Sequence, residues 1–254
     1  MHARRAGLAC VLVALLAAGC SPADGTAPPM SDPLEILEEA LSSTASLSTV
    51  HARVELGATG GQSGLDGLAA DGDLDLGELE LSATVELPLA LGGARLSVIY
   101  ADRELFTRPG SGAWARVGGN GEADPLVFVP TVAKIADALD MALEEPGVRA
   151  TLVDTEECGV ASCYRVAVEV PPEAVWLTAL RLQGLDGLDP PMPGGIPALA
   201  VEAWIERAEL RLVGFRGAIV DAGGGSLLLE VVLSAHDAPV DVSPPPSDEV
   251  APGD

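Results

Sequence analysis

The groups in this 254-residue chain that could do chemistry are three histidines, four cysteines and 38 acidic side chains. A metal centre of the His/Cys type needs three or four converging ligands. His51 and His236 stand alone in segments of alternating polarity, and His2 lies at the extreme N-terminus, so no such set is visible. A Ser-His-Asp hydrolase of the nucleophile-elbow type needs Gly-x-Ser-x-Gly, which does not occur. His51 and His236 therefore read as surface or capping residues. Asp71, Asp73 and Asp75 are spaced like the opening of a calcium loop. The sixth position from Asp71 is Leu76 and the twelfth Ser82, where such a loop requires a turn glycine and a bidentate glutamate. Asp73 and Asp75 are better placed as the solvent side of a strand whose Leu74 and Leu76 are buried. Gly223 to Ser226 lacks the lysine and helix of a phosphate loop and reads as a hairpin turn. With so many carboxylates, no particular acid pair stands out. The expectation is no catalytic residue, no metal, no cofactor and no enzyme.

The cysteines are more specific. Arg4 and Arg5 precede an apolar run from Leu8 to Ala18, which has signal-peptide length and is too short to span a bilayer. It ends in Leu16-Ala-Ala-Gly-Cys20, which resembles a bacterial lipobox, with Ala17 where leucine is usual. Cys20 is then the lipidated N-terminus of the mature protein, and Cys10 is discarded. Cys158 and Cys163 remain, separated by Gly-Val-Ala-Ser. In an exported chain that spacing suits a disulfide closing a hairpin, whereas a redox pair has two intervening residues. So short a loop pins register more than it adds stability.

Composition limits the partners. The formal charge is −24, yet 48% of residues are hydrophobic, mean hydropathy is +0.32 and aromatics are only 3%. A strongly acidic surface repels nucleic acid and an anionic membrane alike. Disorder is excluded by the apolar surplus. Losing Arg4 and Arg5 with the leader makes the exported protein more acidic still, so its lipid must hold it at the membrane.

The elements that would position any site are legible. Residues 1–19 are the signal peptide, 20–31 the lipidated cysteine and a flexible spacer, 32–242 one folded domain, and 243–254 an acidic Pro-rich tail expected to stay unfolded. Asp32-Pro-Leu-Glu35 starts a helix: N-cap, proline at the first turn, glutamate at the third position. Leu34, Leu37, Leu41 and Ala45 form its apolar stripe. The period then changes to two. Val50, Ala52, Val54 and Leu56 alternate with His51, Arg53 and Glu55; Leu79 to Leu87 repeats the pattern. Further strands read at 74–76, 96–100, 104–107, 114–117, 148–154, 164–170, 200–206, 209–220 and 226–235. A second helical block spans Pro130–Glu145. Residues 184–197 are dense in Gly and Pro with Leu185, Leu188, Met192 and Ile196 between them. Three roles fit: a flap at a cavity mouth, a partner surface, or a loop packed on the sheet. Strands with one apolar and one charged face form an antiparallel sheet wet on one side. About ten such strands must curl. The expected fold class is α+β: a strongly curved antiparallel half-barrel wrapped around two or three helices.

In this order the segments resemble lipid-carrier lipoproteins of the LolA-like superfamily, of the LppX/LprG type. The resemblance is carried by Thr49-Val-His-Ala-Arg-Val-Glu-Leu56, Gly72-Asp-Leu-Asp-Leu76 and Val98-Ile-Tyr-Ala-Asp-Arg-Glu-Leu-Phe-Thr-Arg108. Gly112-Ala-Trp114, Val201-Glu-Ala-Trp-Ile-Glu206 and Pro239-Val-Asp-Val-Ser-Pro-Pro245 complete it. The Cys158–Cys163 loop and residues 184–197 depart from that pattern. The resemblance implies an apolar cavity for acyl chains inside the curved sheet. Candidate lining residues are Val54, Leu56, Leu81, Val85, Leu96, Val98, Val166 and Val168, with Ile135 and Leu139 from the second helical block. The implied function is a monomeric lipoprotein, anchored through its N-terminal lipid to the outer face of the bacterial cell membrane. It would carry a lipid or lipoglycan between envelope sites. The alternative is an envelope sensor or structural lipoprotein that binds a protein partner and has no lipid cargo. A cavity of several hundred Å3 would favour the carrier, and a dry core the partner binder.

Overall fold

The computed structural model describes residues 30–59, 66–117, 141–159, 161–182, 191–220 and 225–251. Cys20, Ile135 and Leu139 lie outside them, as does most of the second helical block, of which residues 141–143 are helical. The strands are β1 (Thr49–Thr59), β2 (Leu68–Asp75), β3 (Glu80–Glu86), β4 (Arg95–Ala101), β5 (Glu104–Pro109), β6 (Ala115–Val117), β7 (Arg149–Cys158), β8 (Ala161–Val170), β9 (Leu199–Glu206), β10 (Arg211–Val220) and β11 (Ser226–Ser234). They form one open antiparallel sheet in the order β6-β5-β4-β3-β2-β1-β11-β10-β9-β8-β7. Two meanders are thus joined where β1 pairs with β11. The sheet is the curved half-barrel expected, with eleven strands among the described residues.

Helix α1 (Pro33–Ala45) begins as its sequence dictates, with Asp32 accepting a hydrogen bond from Leu34 N at 3.0 Å and Pro33 at the first position. Its buried face is Ile36, Leu37, Ala40, Leu41 and Thr44. That corrects the expected stripe: Ile36 is fully buried and Leu34 is exposed. Burial of two adjacent residues per turn is the broader face used against a sheet, where a coiled-coil stripe is narrower. A further helix, α2 (Pro172–Leu182), buries Ala174, Thr178 and Leu180. This helix lies outside the expected elements, although Pro171-Pro172-Glu173 is an adequate helix start.

Two local features shape the sheet. The β4–β5 hairpin closes on Asp102 and Arg103, both at positive φ (53° and 63°), so its twist matches the strands without a glycine. In β10 the register shifts between Leu212 and Gly214, a bulge that bends the strand beneath α1. The bulge frees Leu212 N, which Thr44 Oγ1 accepts at 3.0 Å while donating to Ala40 O at 2.7 Å.

Residues 243–251 depart from the unfolded tail that composition suggested. Thr49 Oγ1 donates to Ala238 O at 2.6 Å and Asp237 N to Thr49 O at 3.0 Å. The chain then reaches Trp114, whose N donates to Glu249 O at 3.0 Å and whose O accepts from Ala251 N at 2.8 Å. Pro245 is buried along the way. Proline-rich composition precludes a self-sufficient core, but it does not prevent docking against an existing sheet.

Candidate functional site

Registration across the ladders fixes which side chains share a face. Leu96, Val85, Ala70, Val54, Val231, Phe215, Ala203, Val166 and Leu152 stand opposite one another in a single row, from β4 through β1 and β11 to β7. A neighbouring row holds Leu68, Leu56, Leu229, Gly217, Val201, Val168 and Ala150. Val98 and Leu81 belong to parallel rows on the same side, through Val98–Ala83–Gly72–Ala52 and Tyr100–Leu81–Leu74–Val50. The eight proposed lining residues within the described chain therefore share one apolar face. It is the face α1 packs on.

That face has two halves of different character. Under α1, Val166 and Val168 are buried among Ile36, Leu37, Ala40, Val201, Ala203 and Ile205. The space left between α1, Ala142, Leu143 and β8–β10 is about 30 Å3, room for about one water. Val166 and Val168 thus stand in a packed core. Toward β1–β4, Val54, Leu56, Leu81, Val85, Leu96 and Val98 are only half-buried. There the strands also come close together. A Cβ on Gly72 would meet Ser82 O at 2.4 Å and Ala83 Cβ at 2.5 Å, so only glycine fits between β2 and β3.

The outer face is polar and internally paired. Arg216 bonds Glu230 at 3.0 Å and lies over the Trp204 ring at 5.9 Å. Trp204 Nε1 donates to Glu156, which also faces Arg165 at 3.6 Å. Near β1, His51 Nδ1 is 2.8 Å from Asp73 and Nε2 is 3.5 Å from Asp71. A polar hollow of about 400 Å3 opens there, lined by these three, Thr84, Ser97, Arg108 and Trp114. Both imidazole nitrogens face carboxylates. The register also puts Asp73 between His51 and Ser82. A nucleophilic relay needs the imidazole between carboxylate and hydroxyl, the reverse of this order. Asp75 caps a turn, accepting from Gly77 N and Glu78 N, both at 2.9 Å. Among the described residues, no three His, Cys, Asp or Glu side chains converge as metal ligands.

Cys158 and Cys163 are joined as a disulfide, with Cα atoms 5.9 Å apart across the β7–β8 hairpin. Of the Gly/Pro-rich segment, residues 191–197 are described, and Met192 is exposed there. Among the described residues no helix is long and apolar enough to cross a membrane.

No protein-family model matches the chain, and no curated protein matches it in sequence. Solved structures match it in fold. The lipoprotein LppX of Mycobacterium tuberculosis aligns at a TM-score of 0.51 with 20% identity, covering 84% of this chain and all of LppX. LprF from Mycobacterium bovis aligns at 0.56 with 17% identity, covering 85% of this chain and 99% of LprF. At these identities the likeness is one of fold: this chain, whose described residues form an open eleven-stranded half-barrel with one apolar concave face and a helix packed across part of it, has the fold of LppX and LprF.

Proposed function

We propose that this chain is an exported lipoprotein, anchored through Cys20 to the outer face of the bacterial cell membrane. It would bind the acyl chains of a lipid or lipoglycan and carry them between envelope sites. The observation that carries this reading is the unbroken apolar register row from Leu96 to Leu152. A sheet needs such a row only where something apolar covers it. α1 covers the β7–β10 portion, and the half-buried Val54, Val85, Leu96 and Val98 continue it beyond the packed core. Each methylene moved from water onto such a surface is worth ~0.8 kcal/mol, so acyl chains can be held with few polar contacts. The likeness in fold to the lipoprotein LppX supports the reading. Binding and handover break no bond, and no enzyme activity is proposed.

The second reading, a partner-binding or structural lipoprotein with no cargo, has its own support: the space beneath α1 is only about 30 Å3. Native mass spectrometry of the full-length chain purified from bacterial membranes separates the two. A bound lipid that is lost in Val98→Trp supports the carrier. A lipid-free chain that takes up no lipid from donor vesicles overturns it.

A further inference from the structure

The antiparallel order places every strand end on one of two rims. One rim is where β1 ends at Thr59, and it also receives the β3–β4 turn, the start of β9, the end of β10 and the start of β11. The other rim is where β1 begins at Thr49. Large exposed apolar side chains gather on the Thr59 rim. Leu89 is 92% exposed and Leu91 48%, both in the short 3-10 turn between β3 and β4; Ile219, beside the end of β10, is exposed on the same rim. The sequence from Leu87 to Ala94 carries no charge in a chain whose net charge is −24. The charges flanking this tip, Glu86 and Arg95, are paired with each other.

From this we infer that the β3–β4 tip, led by Leu89, inserts into the interfacial region of a lipid bilayer and sets the Thr59 rim against the membrane. The inference rests on the lipid-carrier reading above. Scattered exposed leucines are ordinary, but an uncharged projecting tip that carries two of them, on a rim that also exposes Ile219, is not. Its shape selects the occupant. Leu89 projects almost wholly free, so a protein partner would need a pocket shaped to receive it, whereas a fluid bilayer needs none. Its charge selects the kind of membrane contact. An acidic chain gains nothing from anionic headgroups, so attachment must be by apolar insertion, as in interfacial anchoring. The tether permits it. Met30 N hydrogen-bonds Tyr164 Oη at 3.2 Å, nearer the Thr49 rim. Ten residues from Cys20 to Met30 reach at most ~33–36 Å, about the ~33 Å length of a ten-residue strand such as β8. The Thr59 rim can therefore face the bilayer that holds Cys20.

The test places an environment-sensitive fluorophore on Leu89→Cys in the full-length chain bound to phosphatidylcholine vesicles. Leu79→Cys is the matched control, because Leu79 is an exposed leucine (51%) in the β2–β3 turn on the opposite rim. Insertion gives a blue shift and brighter emission at position 89, with quenching by spin-labelled acyl chains, and neither change at position 79. Equal responses at the two positions, or none at 89, overturn the inference. Bound cargo, measured on the same preparations by mass spectrometry, keeps the two readings apart. Cargo without insertion removes only the docking tip, and insertion without cargo removes only the carrier.

Discussion

His51 Nδ1 lies 2.8 Å from Asp73 Oδ1, across the β1–β2 ladder, while Asp71 faces the other ring nitrogen at 3.5 Å. The hydrogen bond to Asp73 raises the imidazole pKa above 6.5; partial burial opposes it, and the Asp71 charge reinforces it. A group bound more tightly in its protonated form stabilises the fold fully below its unfolded pKa of about 6.5, and that contribution fades as pH rises through the raised folded value. The effect is limited to less than about 1 kcal/mol because both carboxylates are half exposed. The expected outcome is a small fall in stability just above pH 6.5, absent in His51→Gln. Chemical denaturation across that window, with an NMR titration of His51, reads it. An imidazole titrating below 6.5 would contradict the assignment.

Thr44 joins α1 to the bulge of β10 with a single hydroxyl. Thr44→Val keeps the volume but leaves Leu212 N buried without an acceptor, at a cost of about 1–3 kcal/mol. Thr44→Ser keeps the hydroxyl and is expected to lose less than half as much. Urea denaturation of the two variants side by side distinguishes this from a simple packing effect.

Gly72→Ala must push β2 from β3, because the added methyl would sit 2.4 Å from Ser82 O. A loss of roughly 2–3 kcal/mol is expected, in the range for overpacking. Gly67→Ala is the contrast: no atom lies within 4 Å of its Cβ position, so its cost comes only from its positive φ of 81°.

Much of the architecture was legible because strand period and burial coincide. The alternation at Val50–Leu56 fixed which face of β1 turns inward, and the register then carried that face across β4 to β7. The first helix was legible from Asp32-Pro33, but its rotation was not. Which of Leu34 and Ile36 is buried depends on the sheet beneath the helix, which no local pattern encodes. The split of the inner face was also hidden. Val98 and Val166 look alike in sequence, and only the path of α1 makes one half-buried and the other fully buried. The pairing of His51 with Asp71 and Asp73 needed the β1–β2 register, which joins residues 22 positions apart. The docked tail was missed because proline content reports inability to fold alone, not inability to pack on a partner surface.

Arg181 on α2 reaches back to the segment that leads into β7, pairing with Glu145 at 3.0 Å and Glu144 at 3.5 Å. Glu145 is buried, and its Oε1 faces the guanidinium without the alignment of a hydrogen bond. Arg181→Ala strands that carboxylate. Because Arg181 itself is partly exposed, the expected cost is about 2 kcal/mol, less than for a fully buried pair. Replacing both Arg181 and Glu145 by leucine should recover most of it. A double-mutant cycle on thermal stability measures the coupling, and additive losses would show that the ion pair contributes nothing.

The two halves of the inner face should respond oppositely to the same substitution. Val166 is fully buried beneath α1 with only about 30 Å3 nearby, so Val166→Trp has nowhere to go and should cost at least 3 kcal/mol or prevent folding. Val98 is half-buried on the β1–β4 side, where an indole can project from the sheet, so Val98→Trp is expected to stay folded with a stability change below about 1 kcal/mol. If acyl chains lie along Val85, Leu96 and Val98, that folded variant loses lipid uptake, which a fluorescent-lipid transfer assay reads directly. A Val98→Trp chain that folds and takes up lipid normally would move the binding surface away from β3 and β4. A Val166→Trp chain as stable as the parent would show that the helix-covered half is not the filled core its geometry describes.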